Sequence, residues 1–303
     1  MKTNSLLLTQ FPQIAAVYYG LLQSGYDYYS IERGPEHIAS LHDYMGERCS
    51  PSFFSEARQD TCDVYPYWPR AFILEAATFY IDDGNASYYD FRAFQNRIMS
   101  SKAIEEKERD NSLWKWLSGF PKALAEVLSN KTFSKYLEWE KKWIAEQNDI
   151  HQQDLESISR CLNYCTKQWQ SPVQSIQIYI NPIKCVYSSD YHLVGSCFIF
   201  SSGACRTDSI IHEFLHHVVH PIVEQQKEEV LRRRPTDKLL DDSYYLSGDD
   251  AGVLNGFEET VVRRLTEKVM NDEYPKDLLP FIEAVLNDLE STGRASPQCI
   301  SHK

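Results

Sequence analysis

The sequence of 303 residues lacks a long hydrophobic run, an excess of positive charge and any Cys-x-x-Cys pair. A membrane-spanning helix needs about 20 consecutive apolar residues, so we expect no membrane span. The formal net charge of -12 argues against a nucleic-acid partner and against a polybasic membrane-surface protein, because both need clustered Lys and Arg. The eight cysteines are predicted to be reduced, buried thiols rather than disulfides or metal ligands.

The N-terminus carries only a short apolar run. Leu6–Leu8 follow Lys2, but polar residues and Pro12 interrupt the run before it reaches the length of a signal-peptide core. No pair of small residues at cleavage-site spacing follows a long enough core. We therefore expect no secretory signal and a cytoplasmic location.

The N-terminal half of the chain has the hydrophobic spacing of helices. Apolar residues recur every three to four positions, which is the pattern of a helix with one buried face. The pattern is clearest in four segments: 11–22, 71–80, 112–127 and 132–164. No motif in this part of the chain indicates a chemical role.

The pattern changes after Pro172. Residues 175–181 alternate apolar and polar side chains, which predicts a half-buried strand, and 194–201 is predicted to be a second short strand. The helical pattern returns from Thr207, and the polar stretch 226–255 is predicted to be a long loop.

These patterns together predict an α+β protein. We place a mostly helical domain of unknown role at 1–165 and a second domain, with a small sheet and helices, at 166–290. The remaining residues, 291–303, are rich in Ser, Gly and Pro and are predicted to be a loose tail.

One segment carries a motif with defined chemistry, His-Glu-x-x-His at His212, Glu213 and His216. Residues four apart lie one turn apart on the same face of a helix, so the two imidazoles can bind one ion. Zinc accepts such nitrogen ligands, and Glu213 would lie beside the ion, where it can take a proton from metal-bound water. The predicted strand and glycine turn before the motif, and a helix cap at Thr207 or Asp208, are the context this chemistry needs.

A catalytic zinc ion needs a third protein ligand. The metzincin spacing fails, because Val219 and Ile222 occupy the positions of its Gly and His. His220 lies about 12 Å along the helix from His212, too far to share one ion with both ligands, so we expect it behind the ligands or beside the substrate. The glutamates that follow lie too near on the same helix: Glu224, Glu228 and Glu229.

Two adjacent acids further along, Glu258 and Glu259, lie at the predicted start of a later helix. Adjacent helical residues point about 100° apart, so only one of them can face the metal. Each shares a face with part of the surrounding apolar pattern, Val262 included. The spacing alone therefore leaves both as candidates.

The combination of His-Glu-Phe-x-His, Pro221 and a distant Glu-x-x-Val-Arg helix resembles the zincin-type metallopeptidases with a glutamate third ligand, the gluzincins. It is closer to bacterial HExxH proteins of unknown function than to thermolysin, and it covers roughly 174–270. The resemblance implies that 166–290 is a zincin-like metal-binding domain with a small sheet and an active-site helix. It also implies that Glu259, four residues before Arg263, is the third ligand, with Glu258 in reserve.

The resemblance further implies a zinc metallopeptidase that acts on a peptide or protein substrate, with Zn2+ as cofactor and Glu213 as general base. Zinc would lower the pKa of its bound water to about 7, and a second donor should stabilise the scissile carbonyl oxygen. Candidates for that contact are His217, His220, Tyr244, Tyr245 and Arg263. A hydrolase of non-peptide amides and a zincin-shaped binding or scaffold protein that keeps the metal are the alternatives.

Two features concern how a substrate would reach the site. Thermolysin-like relatives place the ligand Glu where this chain has Thr236, and the longer segment before Glu259 could form a lid. In zincins an edge strand precedes the active helix and pairs with an extended peptide. The implied strand here is Cys197–Ser201.

Overall fold

The structure is a computed structural model that describes residues 6–24, 35–47, 49, 51–58, 73–74, 76–78, 80–81, 116–184, 186, 189–235 and 249–293. Its helices are α1 (Pro12–Gln23), α2 (Pro35–His42), α3 (Pro51–Arg58), α4 (Phe120–Leu128), α5 (Lys131–Ile150), α6 (Gln152–Gln168), α7 (Thr207–Gln225), α8 (Lys227–Arg233), α9 (Asp250–Met270) and α10 (Leu278–Gly293). Its strands are β1 (Ser175–Ile180), β2 (Ser189–Val194) and β3 (Cys197–Ser202). This mostly helical chain with one small mixed sheet confirms the α+β class.

The contacts divide the chain into two compact units, each made of two segments. The first unit contains Met1–Gln152 and Gln174–Cys205, and the second contains Gln153–Val173 and Arg206–Lys303. The strands therefore belong with the N-terminal helices, whereas the predicted boundary at 165 grouped them with the helices that follow. Long-range contacts decide this grouping, and hydrophobic spacing along the chain does not report them.

Hydrogen bonds fasten the sheet to the N-terminal segment of the first unit. The backbone N–H of Thr9 donates to Ile178 O at 2.7 Å, and Leu8 forms a parallel bridge with Ile178. The Tyr18 hydroxyl on α1 donates to Asp190 Oδ2 on β2 at 3.2 Å. These bonds are the physical reason that the strands fold with residues more than a hundred positions earlier.

The sheet has the strand order β1-β3-β2, with β3 parallel to β1 and antiparallel to β2. Strand β3 is therefore central, and both of its edges are paired within the sheet. The expectation that Cys197–Ser201 is an open edge strand is wrong, because its backbone donors and acceptors already serve its two neighbours. This strand is not available for pairing with a peptide.

A hairpin turn lies within the segment predicted to be one strand at 194–201. Gly195 adopts φ +59°, in the left-handed region that favours glycine, and the chain reverses there. Val194 thus ends β2, and β3 begins at Cys197. Strand β2 was not predicted from the sequence because its side chains are mostly half-buried and do not alternate between buried and exposed.

Helix α1 lies at the centre of the first unit. All of its residues from Gln13 to Gln23 are buried, which requires neighbours on every side of the helix. The ring of Phe54 on α3 approaches the backbone closely at Gly20, where an added Cβ would lie 2.5 Å from the ring. The span of α1 matches the helix predicted at 11–22 to within one residue at each end.

A buried carboxyl group joins α5 to the sheet and to the N-terminal segment. Glu140 is fully buried and accepts hydrogen bonds from Tyr136 Oη at 2.9 Å, Tyr179 Oη at 2.6 Å and Gln10 Nε2 at 2.7 Å. Burial raises the pKa of Glu140 to about 7, although these hydrogen bonds act in the opposite direction. Below this pH the folded protein holds a proton that the unfolded chain begins to release near pH 4.5.

We expect this group to reduce the free energy of unfolding as the pH rises from about 4.5 to about 7, because the folded state binds more protons than the unfolded state in that window. Glu140→Gln keeps an acceptor oxygen but cannot ionise. Urea unfolding should therefore show the variant gaining about 2 to 3 kcal/mol relative to the wild type between pH 5 and pH 8. A difference that stays constant across this range would contradict the assignment.

The second unit, in its described part, consists of helices, and α7 packs against α9. The apolar face of α7 recurs at helical spacing and includes Ile210, Ile211, Phe214, Leu215 and Val218. The buried apolar residues of α9 include Phe257, Val261, Val262 and Leu265. The end of α6 is fastened to the segment before α10 by a hydrogen bond of 3.1 Å from Trp169 Nε1 to Pro275 O.

Helix α9 begins earlier than predicted. Asp249 is its N-cap, and the Asp249 side chain accepts a hydrogen bond from the backbone N–H of Gly252 at 2.6 Å. The two adjacent glutamates, Glu258 and Glu259, therefore lie in the middle of the helix rather than at its start. This start was not predicted because Asp249 lies in the segment 226–255, which was predicted to be a loop.

Three further expectations are corrected in the second unit. The predicted loop 226–255 contains α8 and the first turns of α9, and 236–248 lie outside the described residues. The N-cap of α7 is Arg206, without a side-chain hydrogen bond, rather than Thr207 or Asp208. The tail begins later than 291 because α10 continues to Gly293, and 294–303 are not among the described residues.

Two expectations from composition can be compared with the described ranges. No helix there combines the length and the apolar character that crossing a bilayer requires. The described cysteines form no disulfide; Cys49 and Cys165 are buried, while Cys161, Cys197 and Cys205 are partly exposed. The prediction of buried thiols therefore holds for two of these side chains and not for the other three.

Candidate metal centre

Helix α7 presents the two histidines of the motif on one face. The ring centroids of His212 and His216 lie 4.9 Å apart, and their Nε2 atoms lie 3.2 Å apart. Both side chains are largely buried, with 22% and 18% of their surface exposed. The residue before each histidine, Ile211 or Leu215, is buried and apolar, and residues four apart lie on the same face of a helix.

Helix α9 brings a carboxylate to the same point. Glu259 Oε2 lies 3.5 Å from His212 Nε2 and 3.3 Å from His216 Nε2, and the Glu259 side chain is only 8% exposed. Among the described residues, these three side chains form a group whose donor atoms all lie within 4.8 Å of one another. This group could hold a metal ion.

The spacing of the donor atoms fits a small tetrahedral ion. Two donors held about 2.0–2.2 Å from an ion at tetrahedral angles lie about 3.3–3.6 Å apart. The three distances between donors here are 3.2, 3.3 and 3.5 Å. The residues therefore fit an ion with two nitrogen ligands, one oxygen ligand and one remaining position.

The second oxygen of Glu259 is held from outside the cluster. Arg263, one turn further along α9, donates from Nε to Glu259 Oε1 at 2.6 Å, which leaves Oε2 directed at the histidines. Burial raises the pKa of Glu259, but hydrogen bonds with His212, His216 and Arg263 outweigh this effect and hold the pKa well below its usual range. The carboxyl group is thus ionised, as a metal ligand must be.

The neighbouring acid, Glu258, lies behind the cluster rather than in it. Its Oε1 accepts from His216 Nδ1 at 2.8 Å, and its Oε2 accepts from His220 Nδ1 at 2.7 Å. Burial lowers the pKa of His216, but its hydrogen bonds with Glu258 and Glu259 outweigh this and raise the pKa to about 9. The spacing of the sequence left both acids as candidate third ligands. In the structure Glu259 belongs to the donor group, and Glu258 contacts the opposite edge of the His216 imidazole.

Glu213 lies on α7 immediately after His212 and is partly buried. Its negative charge contributes to the raised pKa of His216, so the carboxylate acts electrostatically on the donor group. Its place beside a metal ion and its role as a base both stay predictions.

The structure distinguishes the other candidate residues. His217 Nε2 lies 2.9 Å from Ser171 Oγ in the segment between α6 and β1, and burial lowers the pKa of His217. This imidazole therefore contacts a neighbouring segment and is not part of the donor group. Arg263 contacts the site through Glu259, and Tyr244 and Tyr245 lie outside the described residues.

Two contacts of the site were missed in the sequence. Nothing in the spacing indicates that Ser171 meets His217, because the two residues are 46 positions apart. The partnership of Glu258 with His216 and His220 had a weak signal, since histidines four apart share a helix face and an adjacent acid on a second helix can reach both. Choosing that acid requires the rotation of α9 about its axis, which only packing determines.

Comparisons with protein-family models, with curated proteins and with solved structures found no match for this chain. The interpretation of the site therefore depends on its own geometry. The described residues bring together two imidazoles and one ionised carboxylate at distances suited to a single ion, with a second carboxylate behind one imidazole.

Proposed function

We propose that this chain is a zinc-dependent hydrolase, and specifically a metallopeptidase, with His212, His216 and Glu259 as ligands of Zn2+. The observation that carries the proposal is the convergence of their three donor atoms at 3.2, 3.3 and 3.5 Å. Zinc accepts imidazole nitrogen and carboxylate oxygen in tetrahedral geometry. Three protein ligands are typical of catalytic zinc, whereas structural zinc usually has four.

The remaining position supports hydrolysis rather than a structural role. Zinc held by these three residues would lower the pKa of a bound water to about 7. Glu213, which follows His212 on the same helix, would accept a proton from water and donate it to the leaving amine of the cleaved peptide. Its charge already acts on His216, which supports a position close to the reacting atoms.

The proposal also covers the zincin-like character of 166–290. Two features of the second unit support it: a helix that carries His-Glu-x-x-His, and a second helix that supplies a glutamate four residues before an arginine. In the proposal α7 is the active-site helix and α9 the ligand helix. The peptide substrate is proposed from the same resemblance to the gluzincins.

Metal removal tests the proposal directly. We expect the purified protein to bind one zinc ion per chain and to lose peptide cleavage when a chelator removes it, with recovery on adding zinc. Because zinc binds the native state, zinc at about 100 times its Kd should raise the free energy of unfolding by about 2.7 kcal/mol. Calorimetry with and without zinc measures this.

The control is His212→Ala, which removes one donor and should abolish the stabilisation by zinc. A wild type whose thermal unfolding and cleavage of a broad peptide library are both unaffected by zinc would contradict the proposal. Stoichiometric zinc without cleavage of peptides or other amides would instead favour a binding or scaffold protein that keeps the metal.

A further inference from the structure

Glu258 is placed between two histidines of α7. Its side chain is 12% exposed, and its two oxygens lie 2.8 Å from His216 Nδ1 and 2.7 Å from His220 Nδ1. The carboxylate therefore has one oxygen for each imidazole. Glu259 also contacts two histidines, but it does so with the single oxygen Oε2 and at their Nε2 atoms.

This arrangement has a chemical consequence for both rings. The oxygens of a carboxylate accept hydrogen bonds, so at 2.8 Å and 2.7 Å each histidine donates from Nδ1–H. With the Nδ1 proton held by Glu258, Nε2 is the nitrogen of His216 that can bind a metal ion, and it is the one directed at His212 and Glu259. The ring orientation of His220 is fixed in the same way by the second oxygen.

His220 differs from His216 in what its other edge meets. Its side chain is 57% exposed, while the Nδ1 edge is occupied by the nearly buried carboxylate. It lies one turn beyond His216 on the same face, about 6 Å along the helix axis. Its Nε2 edge is therefore the accessible one, on the flank of the metal centre.

We infer that Glu258 is a positioning residue that orients two imidazoles at once, His216 toward the metal ion and His220 toward a bound substrate. The inference rests on the proposed function and deepens it, since it selects one substrate contact from the three candidates that lie within the described residues, His217, His220 and Arg263. His217 is engaged by Ser171, and Arg263 is engaged by Glu259 through Nε. Of the three, His220 has an exposed side chain (57%) held by the acid that does not belong to the donor group, whereas Arg263 (52% exposed) is held by the ligand Glu259 itself.

The amide of glutamine offers a sharp test of the shared acceptor. Gln has nearly the shape of Glu, but one of its two polar atoms donates and the other accepts. Glu258→Gln can satisfy one Nδ1–H and must present an N–H to the other ring. Glu258→Ala removes both acceptors, so it should weaken zinc binding more than Glu258→Gln does.

The experiment measures zinc affinity by competition with a chromophoric chelator and measures kcat/KM at saturating zinc. Glu258→Ala should weaken zinc binding by about 10- to 100-fold, the range found for the partners of metal-bound histidines, and Glu258→Gln should fall between it and the wild type. His220→Ala should leave zinc affinity unchanged and lower kcat/KM about tenfold, the worth of one hydrogen bond to the substrate. Glu267→Ala, an exposed acid further along α9, should change neither quantity.

A second measurement avoids the question of whether a variant folds. In the zinc-loaded wild type, nitrogen-15 spectra of the histidine side chains should show a proton on Nδ1 of both His216 and His220. A His220 protonated only on Nε2 would overturn the inference. Equal zinc affinity in the wild type and in a folded Glu258→Ala variant would overturn it as well.

The failure of this inference can be distinguished from the failure of the proposed function. If the wild type binds zinc and cleaves peptides while His220→Ala has the same kcat/KM as the wild type, only the role of His220 is lost. If the wild type binds no zinc, both the proposed function and the inference about His216 are wrong.

Discussion

Replacing Glu213 with Gln is expected to leave one zinc ion bound per chain and to lower kcat for peptide cleavage by about 100- to 10,000-fold. The glutamine side chain keeps the size of glutamate but cannot accept a proton. His212, His216 and Glu259 remain in place, so the ion is retained while proton transfer from its water is lost. Metal analysis together with a peptide-library digestion measures the two effects on the same sample.

The matched control for this experiment is Glu267→Gln, which makes the same chemical change at an exposed site. It should retain both zinc and activity. Identical digestion profiles for the wild type and Glu213→Gln would show that this carboxylate is not the base. With stoichiometric zinc in both proteins, that result would favour a binding module over an enzyme.

Removing Glu259 should have the largest effect on the metal itself. Glu259→Ala deletes the oxygen that lies 3.5 and 3.3 Å from the two histidine nitrogens, and leaves two donors where three converged. We expect zinc affinity to fall by more than about 100-fold, beyond the loss caused by changing a partner of a ligand. Chelator competition on a sample checked for folding by circular dichroism gives this value.

The paired variant is Glu258→Ala, which should retain stoichiometric zinc at saturating concentration despite a weaker affinity. The comparison is informative because the two acids are adjacent on α9 and differ only in where they point. If zinc stays stoichiometric in Glu259→Ala and is lost in Glu258→Ala, the assignment of the third ligand is wrong. Such a result would require α9 to be rotated by about one residue, or about 100°.

Several of the described helices and one strand were predicted from hydrophobic spacing, whereas α2, α3 and α8 were not. Helix α1 and strand β1 appear within one residue of the predicted segments, because burial of one side of a regular element leaves a period of 3.6 or 2 in the sequence. Strand β2 was missed because its side chains are mostly half-buried and do not alternate between buried and exposed. Because β2 was not predicted, the turn at Gly195 was not predicted either, and β3 was wrongly expected to be an edge strand.

The metal-binding pair on α7 was predictable for a similar reason. His212 and His216 are four residues apart on a helix with a strong apolar face, and local geometry alone brings such side chains together. The third donor is 43 positions beyond His216, on another helix, and Glu258 and Glu259 fit the local pattern about equally. Local rules therefore predicted two donors and could only propose the third through a resemblance.

The sequence by itself determined the class of the fold, most of the described helices and the motif that pairs two imidazoles, since each depends on contacts within a few residues. Only the tertiary structure decided that the strands belong with the N-terminal helices, that Glu259 faces the histidines, and that Glu258 supports two of them from behind. The packing of α7 against α9 sets the rotation of α9, and that rotation separates the roles of two adjacent acids. Side-chain contacts between distant segments carry this information, which spacing along a single chain does not contain.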